Sequence, residues 1–123
     1  MTCGLTSMGD LWMSKPWGAH AVIHQGDGWA VKVLFVLAGE ELSWQTHRLR
    51  SEKWTVTDGL CEAGCWQPDE EPEFVTLTEG DVLFVPQGWV HTVRAVEDTT
   101  IVEVIEGVYE EDDIVRLSDR YGR

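Results

Sequence analysis

Short β-rich runs separated by Gly, Pro and Asp turn signals, recurring roughly every eight to twelve residues, constrain this chain more than any other feature. No stretch sustains the apolar spacing of a long amphipathic helix, so the pattern predicts an all-β domain of the sandwich or small-barrel kind. The predicted strands are Ala19–His24, Trp29–Leu37, Leu42–Thr46, Lys53–Thr57, Leu60–Trp66, Glu73–Thr76, Val82–Val85, Val90–Val96 and Thr99–Ile105. Gly26-Asp27-Gly28 joins the first pair, Asp58-Gly59 reads as a two-residue hairpin, and Glu79-Gly80-Asp81 and Pro86-Gln87-Gly88 read as tight turns. The acidic, proline-bearing stretch Gln67 to Pro72 reads as a solvated loop. The tail from Glu110 opens with acids and spaces Ile114 and Leu117 three apart, which predicts one short C-terminal helix.

At 123 residues the chain can bury one core, so a single domain over 1–123 is expected, with an N-terminal arm over 1–14 and a tail over 110–123. Nine Lys and Arg against twenty-two Asp and Glu leave a net charge of −13. Such a surface repels nucleic-acid phosphates and anionic lipid, which argues against both partners. Hydrophobic content of 43% and seven Trp argue against disorder, because that much apolar and aromatic surface offsets the entropy of ordering. The longest apolar run, Val33 to Ala38, is far too short to span a bilayer, and no basic-then-apolar leader opens the chain. A soluble protein without an export signal is expected. Cys3, Cys61 and Cys65 are odd in number, which suits a reducing cytoplasm. Cys61 and Cys65 lack CxxC spacing and read as structural.

The chemistry concentrates between Gly39 and Gly59, GEELSWQTHRLRSEKWTVTDG. Gln45 and His47 are two apart, so on one strand both side chains leave the same face and can converge on one ion. Glu52 follows after a short break, at the start of a strand turning back beside them. Far along the chain, the Pro86-Gln87-Gly88 turn opens the strand that presents His91. Two imidazoles, a carboxylate and an amide suit zinc best, with iron, manganese, cobalt and nickel compatible. His20 and His24 fall outside these segments and read as exposed strand residues.

These two segments, a Gly-bounded ligand cluster with Glu and then Gly, Pro-x-Gly and His, resemble the two cupin motifs. The string Leu42-Ser-Trp-Gln-Thr-His-Arg-Leu-Arg-Ser-Glu-Lys-Trp54 is similar to the LSxQxHxxRxExW segment of type II phosphomannose isomerases. Lys15-Pro-Trp-Gly18 is similar to that family's RPWG, and Glu111 to Arg116 with Asp119 to Arg123 to its EDDIVR and YGR ending. The resemblance runs from about Lys15 to Arg123 and implies a jelly-roll barrel with a metal at its centre, in a stand-alone mannose-6-phosphate isomerase domain. That family's cupins are often joined to a GDP-mannose pyrophosphorylase, for which this chain has no room. It also implies a homodimer through sheet edges. The chain departs from the pattern at Lys15, at Ile105 where the family has Gln, and by one residue missing between Tyr109 and Asp112. The last two departures fall near the expected pocket.

The resemblance implies that Arg50 is needed for isomerisation, and a fixed guanidinium beside a metal can stabilise a developing oxyanion. Lys32 interrupts an apolar strand and is expected to line the cavity; Glu103, between Val102 and Val104, is expected to face inward and serve as the base. Arg116 and Arg123 are the candidates for a substrate phosphate, against ion pairing with Asp112, Asp113 or Asp119. Trp44 should face away from the metal, and Trp54 and Trp89 lie near the mouth on this reading. Two alternatives stay open: a non-catalytic sugar-binding cupin, and an iron-dependent dioxygenase, against which Gln45 speaks.

Overall fold

A computed structural model describes residues 11–123, so the expectations for Cys3 and for most of the N-terminal arm fall outside the described residues. The strands are β1 (Trp12–Lys15), β2 (Gly18–Gly26), β3 (Trp29–Val36), β4 (Trp44–Thr46), β5 (Arg50–Asp58), β6 (Leu60–Trp66), β7 (Phe74–Thr78), β8 (Val82–Val85), β9 (Val90–Ala95), β10 (Thr99–Gly107) and β11 (Val115–Ser118). They form a six-stranded sheet in the order β1-β2-β3-β10-β5-β8 and a five-stranded sheet in the order β11-β4-β9-β6-β7. All pairings are antiparallel. The two sheets close over one core as the expected jelly roll.

Alternation along the central strands decides what the barrel holds. Ala30, Lys32, Leu34 and Val36 of β3, Thr99, Ile101, Glu103 and Ile105 of β10, and Arg50, Glu52, Trp54 and Val56 of β5 are all buried, with the intervening residues more exposed. The register sets Leu34, Ile101 and Val56 side by side, and one step toward the mouth Lys32, Glu103 and Trp54. The apolar row joins Trp17, Leu42, Ala63, Leu77, Val85 and Val93 in the core. The charged inward residues lie nearer the mouth, so the same strands that build the core also build a polar cavity. Gln67 to Pro72 is exposed throughout, as its composition predicts.

Two local expectations are corrected. The tail forms no helix. Its residues Val115 to Ser118 are strand β11, paired with β4 through Val115 with Thr46 and Arg116 with Gln45. A lone short helix is marginal in water, whereas three-residue β4 would otherwise be an unpaired sheet edge, so the tail gains more by pairing. The second correction concerns Asp58-Gly59, which is not a hairpin: β5 and β6 lie in different sheets, and the chain crosses between them there. Gly59 has φ 105°, and a Cβ on it would sit 2.3 Å from the Asp98 carbonyl oxygen, so the corner admits only glycine. Gly80, also a corner, has φ 90° but open space around it. Gly59→Ala is therefore expected to cost about 2 kcal/mol or more and Gly80→Ala about 1 kcal/mol, read as urea midpoints at constant slope. Equal losses would show that φ alone matters at Gly59.

Candidate metal centre

Strand β4, the turn after it, β5 and β9 deliver the side chains that could hold a metal ion. Gln45 on β4 pairs directly with His91 on β9, which places both on one stretch of the inner wall. The Pro86-Gln87-Gly88 turn is tied to the loop carrying His47, since Gly88 N donates to the His47 carbonyl at 3.0 Å and the Gln87 amide donates to the Arg48 carbonyl. The two distant motifs are thus locked together by backbone contacts. His47, Glu52 and His91 are buried, and their ligand atoms all lie within 4.8 Å of one another. His47 Nε2 is 3.5 Å from Glu52 Oε2, and His91 Nε2 is 3.6 Å from Glu52 Oε1.

The groups behind the ligands fix their chemical form. His47 Nδ1 donates to the Asp113 carbonyl at 2.6 Å and His91 Nδ1 to the Trp89 carbonyl at 3.1 Å, an assignment that turns both Nε2 lone pairs inward. Burial holds His47 down to about 4, against the opposing pull of Glu52, and likewise lowers His91, so both imidazoles are neutral. Burial alone would raise Glu52, but the His91 and His47 rings in their protonated forms, a hydrogen bond from Glu103 and the Arg50 guanidinium bring it down to about 2; with both rings neutral, the Glu103 hydrogen bond and Arg50 keep it ionised. Two neutral imidazoles and an ionised carboxylate converging on one point form a donor set that a divalent ion takes readily. Gln45 lines the same cavity, and its amide nitrogen is held by the Ser43 carbonyl at 3.4 Å, leaving the amide oxygen as its free ligand atom.

Around this triad, Arg50 is buried, donating from Nε to Glu52 Oε2 at 2.9 Å and from Nη2 to His47 Nε2 at 3.0 Å. Tyr109 lies under it, with the guanidinium carbon 5.0 Å from the ring centroid. Lys32 lines the cavity as expected, 5.6 Å from the same ring. Glu103 faces inward as expected; burial and then the Glu52 charge raise it well above the usual carboxylate range, so at rest it carries the proton it shares with Glu52. Arg116 and Arg123 both line the cavity from the tail. Arg123 also pairs with Asp119 at 2.7 Å, while Arg116 makes no ion pair among the described residues.

Several expectations change. His20 is buried and lines the cavity, opposite inward-facing Leu34, whereas the register shift between Val22 and His24 sets His24 opposite outward-facing Val31, where it is exposed. Nothing in the two motifs points to His20, and no alternation marks it, since neighbouring Ala21 is fully buried as well. Trp54 is a floor residue rather than a mouth residue, 1% exposed and donating to Glu52 Oε1 at 3.0 Å. Trp89 borders a separate hollow with Val75, Leu83 and Phe84. Trp44 does face away from the metal ligands, stacking edge-on against Trp66 at 4.9 Å. Ile105 is fully buried opposite Glu52 on the neighbouring strand and does not line the cavity. Cys61 and Cys65 are free thiols that burial raises to about 11, which makes them inert.

Asp113 anchors the site from outside, its carboxylate accepting from Arg48 N and Leu49 N, both at 3.0 Å, while its carbonyl holds His47. Asp113→Ala is expected to weaken divalent-ion binding about 10-fold in a competitive chelator titration. Unchanged affinity would show that the loop holds His47 without the tail.

Comparison with known proteins agrees with this geometry. Residues 10–119 match the family described as Mannose-6-phosphate isomerase C-terminal. The mannose-1-phosphate guanylyltransferase of Salmonella muenchen is 36% identical over 111 residues, 88% of this chain and 22% of that protein. The xanthan biosynthesis protein XanB of Xanthomonas campestris pv. campestris is 37% identical over 112 residues, 89% of this chain and 23% of its own length. The chain therefore spans less than a quarter of these relatives. Oxalate decarboxylase of Bacillus subtilis shares the fold, with a TM-score of 0.79 at 17% identity over 91% of this chain and 32% of that one. With a family match running almost from end to end over a jelly roll of this kind, the chain belongs to the mannose-6-phosphate isomerase C-terminal family and is a cupin by fold.

Proposed function

We propose that this domain is a zinc-dependent aldose–ketose isomerase that interconverts mannose 6-phosphate and fructose 6-phosphate. The observation that carries this reading is the distribution of positive charge. Five of the nine lysines and arginines of a chain at −13, namely Lys15, Lys32, Arg50, Arg116 and Arg123, line the one cavity that holds the triad. An acidic protein has no use for such a concentration unless an anion sits there.

A divalent ion held by His47, Glu52, His91 and Gln45 would supply Lewis acidity toward the sugar oxygens at C1 and C2. Arg50 keeps a fixed positive charge beside those oxygens, where negative charge develops as the C2 proton leaves. Glu103 is placed to carry that proton between C2 and C1 through a cis-enediol. At rest Glu103 is the protonated partner of Glu52; once Glu52 holds a divalent ion in place of that proton, the proton leaves to solvent and the Glu103 carboxylate is free to accept the C2 proton and return it to C1. The Tyr109 ring lies against the Arg50 guanidinium and the Lys32 ammonium and helps to hold both charges in place. Ile105 lies outside the cavity wall, which leaves the residue missing before Asp112 as the remaining ground for a non-catalytic sugar binder.

The homodimer fits the outer face of the six-stranded sheet better than its edges. Val33, Val102, Thr55 and Val82 stand in one row across β3, β10, β5 and β8, and Val31, Val104, Lys53 and Phe84 in the next. Phe84 and Val82 are more than half exposed. These rows carry no acid, so here two copies, each at −13, can approach without facing acid against acid. Phe84→Glu with Val104→Glu is expected to convert a dimer to a monomer in sedimentation velocity; a wild-type protein that stays monomeric at all concentrations would refute this surface.

For catalysis, a coupled assay should show mannose 6-phosphate turnover that chelation abolishes and a single added metal restores. Arg50→Ala is expected to lower kcat about 100-fold with metal still bound, and Glu103→Gln to abolish turnover. Absence of turnover with every metal in a protein that binds one stoichiometrically would overturn the isomerase reading.

A further inference from the structure

The β1–β3 side of the cavity carries a histidine that the metal motifs do not contain. His20 is 3% exposed, sits opposite Leu34 in the β2–β3 register, and lines the cavity. Its Nε2 is buried without a hydrogen-bond partner among the described residues. A buried donor or acceptor left unpaired is costly, and native structures rarely keep one without a use. His20 also differs from the other two histidines of the cavity. His47 and His91 have Nδ1 anchored on backbone carbonyls, which prepares Nε2 for a metal, whereas neither ring nitrogen of His20 is held.

Its neighbours indicate what the free nitrogen faces. Lys32 and Lys15 both act on the ring and, after burial, are the strongest influences holding it neutral, at about 4. The acid nearby, Glu111, lines the same cavity and is held ionised, against the effect of burial, by the Tyr109 hydroxyl and by the charges of Lys32 and Lys15, but it lies beyond ion-pair distance of either lysine. Lys15 and Lys32 have no carboxylate within ion-pair distance among the described residues. Two unpaired ammonium groups flanking a neutral imidazole N–H suit an oxyanion and repel a metal cation. The tail arginines are different in kind: Arg116 and Arg123 are exposed, and Arg123 is already held by Asp119.

We propose that Lys15, His20 and Lys32 form the seat for an oxyanion of the bound ligand, with His20 Nε2–H donating to it, while Arg116 and Arg123 stand at the mouth and draw the anion in. This deepens the isomerase reading, under which the oxyanion is the substrate's phosphate, and it relocates the phosphate from the tail to the β1–β3 wall.

The test is a titration of the zinc-loaded full chain with inorganic phosphate, following the histidine ring signals by NMR, then repeated with mannose 6-phosphate and with mannose. The His20 ring signal is expected to move saturably with phosphate and with mannose 6-phosphate but not with mannose. His20→Phe should weaken phosphate at least tenfold, His20→Gln, which keeps an N–H donor, should recover most of that loss, and Arg116→Met should change affinity less than threefold. A His20 signal that phosphate leaves unmoved, or a folded His20→Phe protein that binds phosphate like wild type, overturns the proposal. Failure of the isomerase reading is distinguishable: mannose 6-phosphate would then move the His20 signal without being converted, and the oxyanion seat would stand.

Discussion

The Glu52 carboxylate is the interaction on which the rest of this structure depends. It is an ionised group at 2% exposure inside a jelly roll, and burying such a charge without partners would be prohibitive. The barrel meets that demand by arranging donors around it: the Arg50 guanidinium, the Trp54 indole and the proton of Glu103, while two imidazole nitrogens lie 3.5 and 3.6 Å away with their lone pairs turned to the same point. Because β5 places Arg50, Glu52 and Trp54 on one face by simple alternation, the charge and two of its partners come from five consecutive residues. The remaining partners arrive from β9, β10 and the turn after β4, and this convergence makes the site a property of the closed barrel.

The tail is part of the site rather than an appendage to it. Pairing β11 with β4 extends the second sheet, but its chemical consequence is larger. Asp113 clamps the backbone of the ligand loop with its carboxylate and orients His47 with its carbonyl, and Arg116 and Arg123 then reach the cavity from the same segment. Tyr109 and Glu111 cover the Lys15 and Lys32 side. Ligand orientation, cavity closure and the supply of positive charge are therefore coupled through the last fifteen residues. The strongly acidic surface sharpens this arrangement, because an anion is repelled everywhere except along the basic wall that the tail and β1–β3 present together.

How much of this was legible in the sequence follows from the range of the interactions involved. Strand positions and the inward direction of Lys32, Glu103 and Glu52 depend on alternation, which neighbouring residues alone establish. The residues of the candidate metal triad were legible for the same reason, with spacing and the Pro-x-Gly turn marking them, and family resemblance supplied their grouping. The tail could not be read this way. Ile114 and Leu117 are compatible with a helical turn, and only the open edge of β4 turns the segment into a strand. Asp58-Gly59 was misread because a glycine with positive φ serves a hairpin and a corner between sheets equally well, and the packing of Asp98 and Thr99 against it decides which. His20 escaped because a lone histidine on a strand carries no motif; its significance is the missing partner on Nε2, a fact about its surroundings.

The sequence by itself determined the all-β class, the alternation that sends charged side chains inward, and the residue types able to hold a divalent ion, because each rests on chemistry and periodicity local to the chain. Tertiary structure alone decided which strands neighbour one another, that the tail closes the site, that Trp54 is its floor, and that the basic residues of an acidic chain gather in one cavity. Those outcomes depend on backbone groups finding partners across long stretches of sequence, a choice made only when the two sheets close.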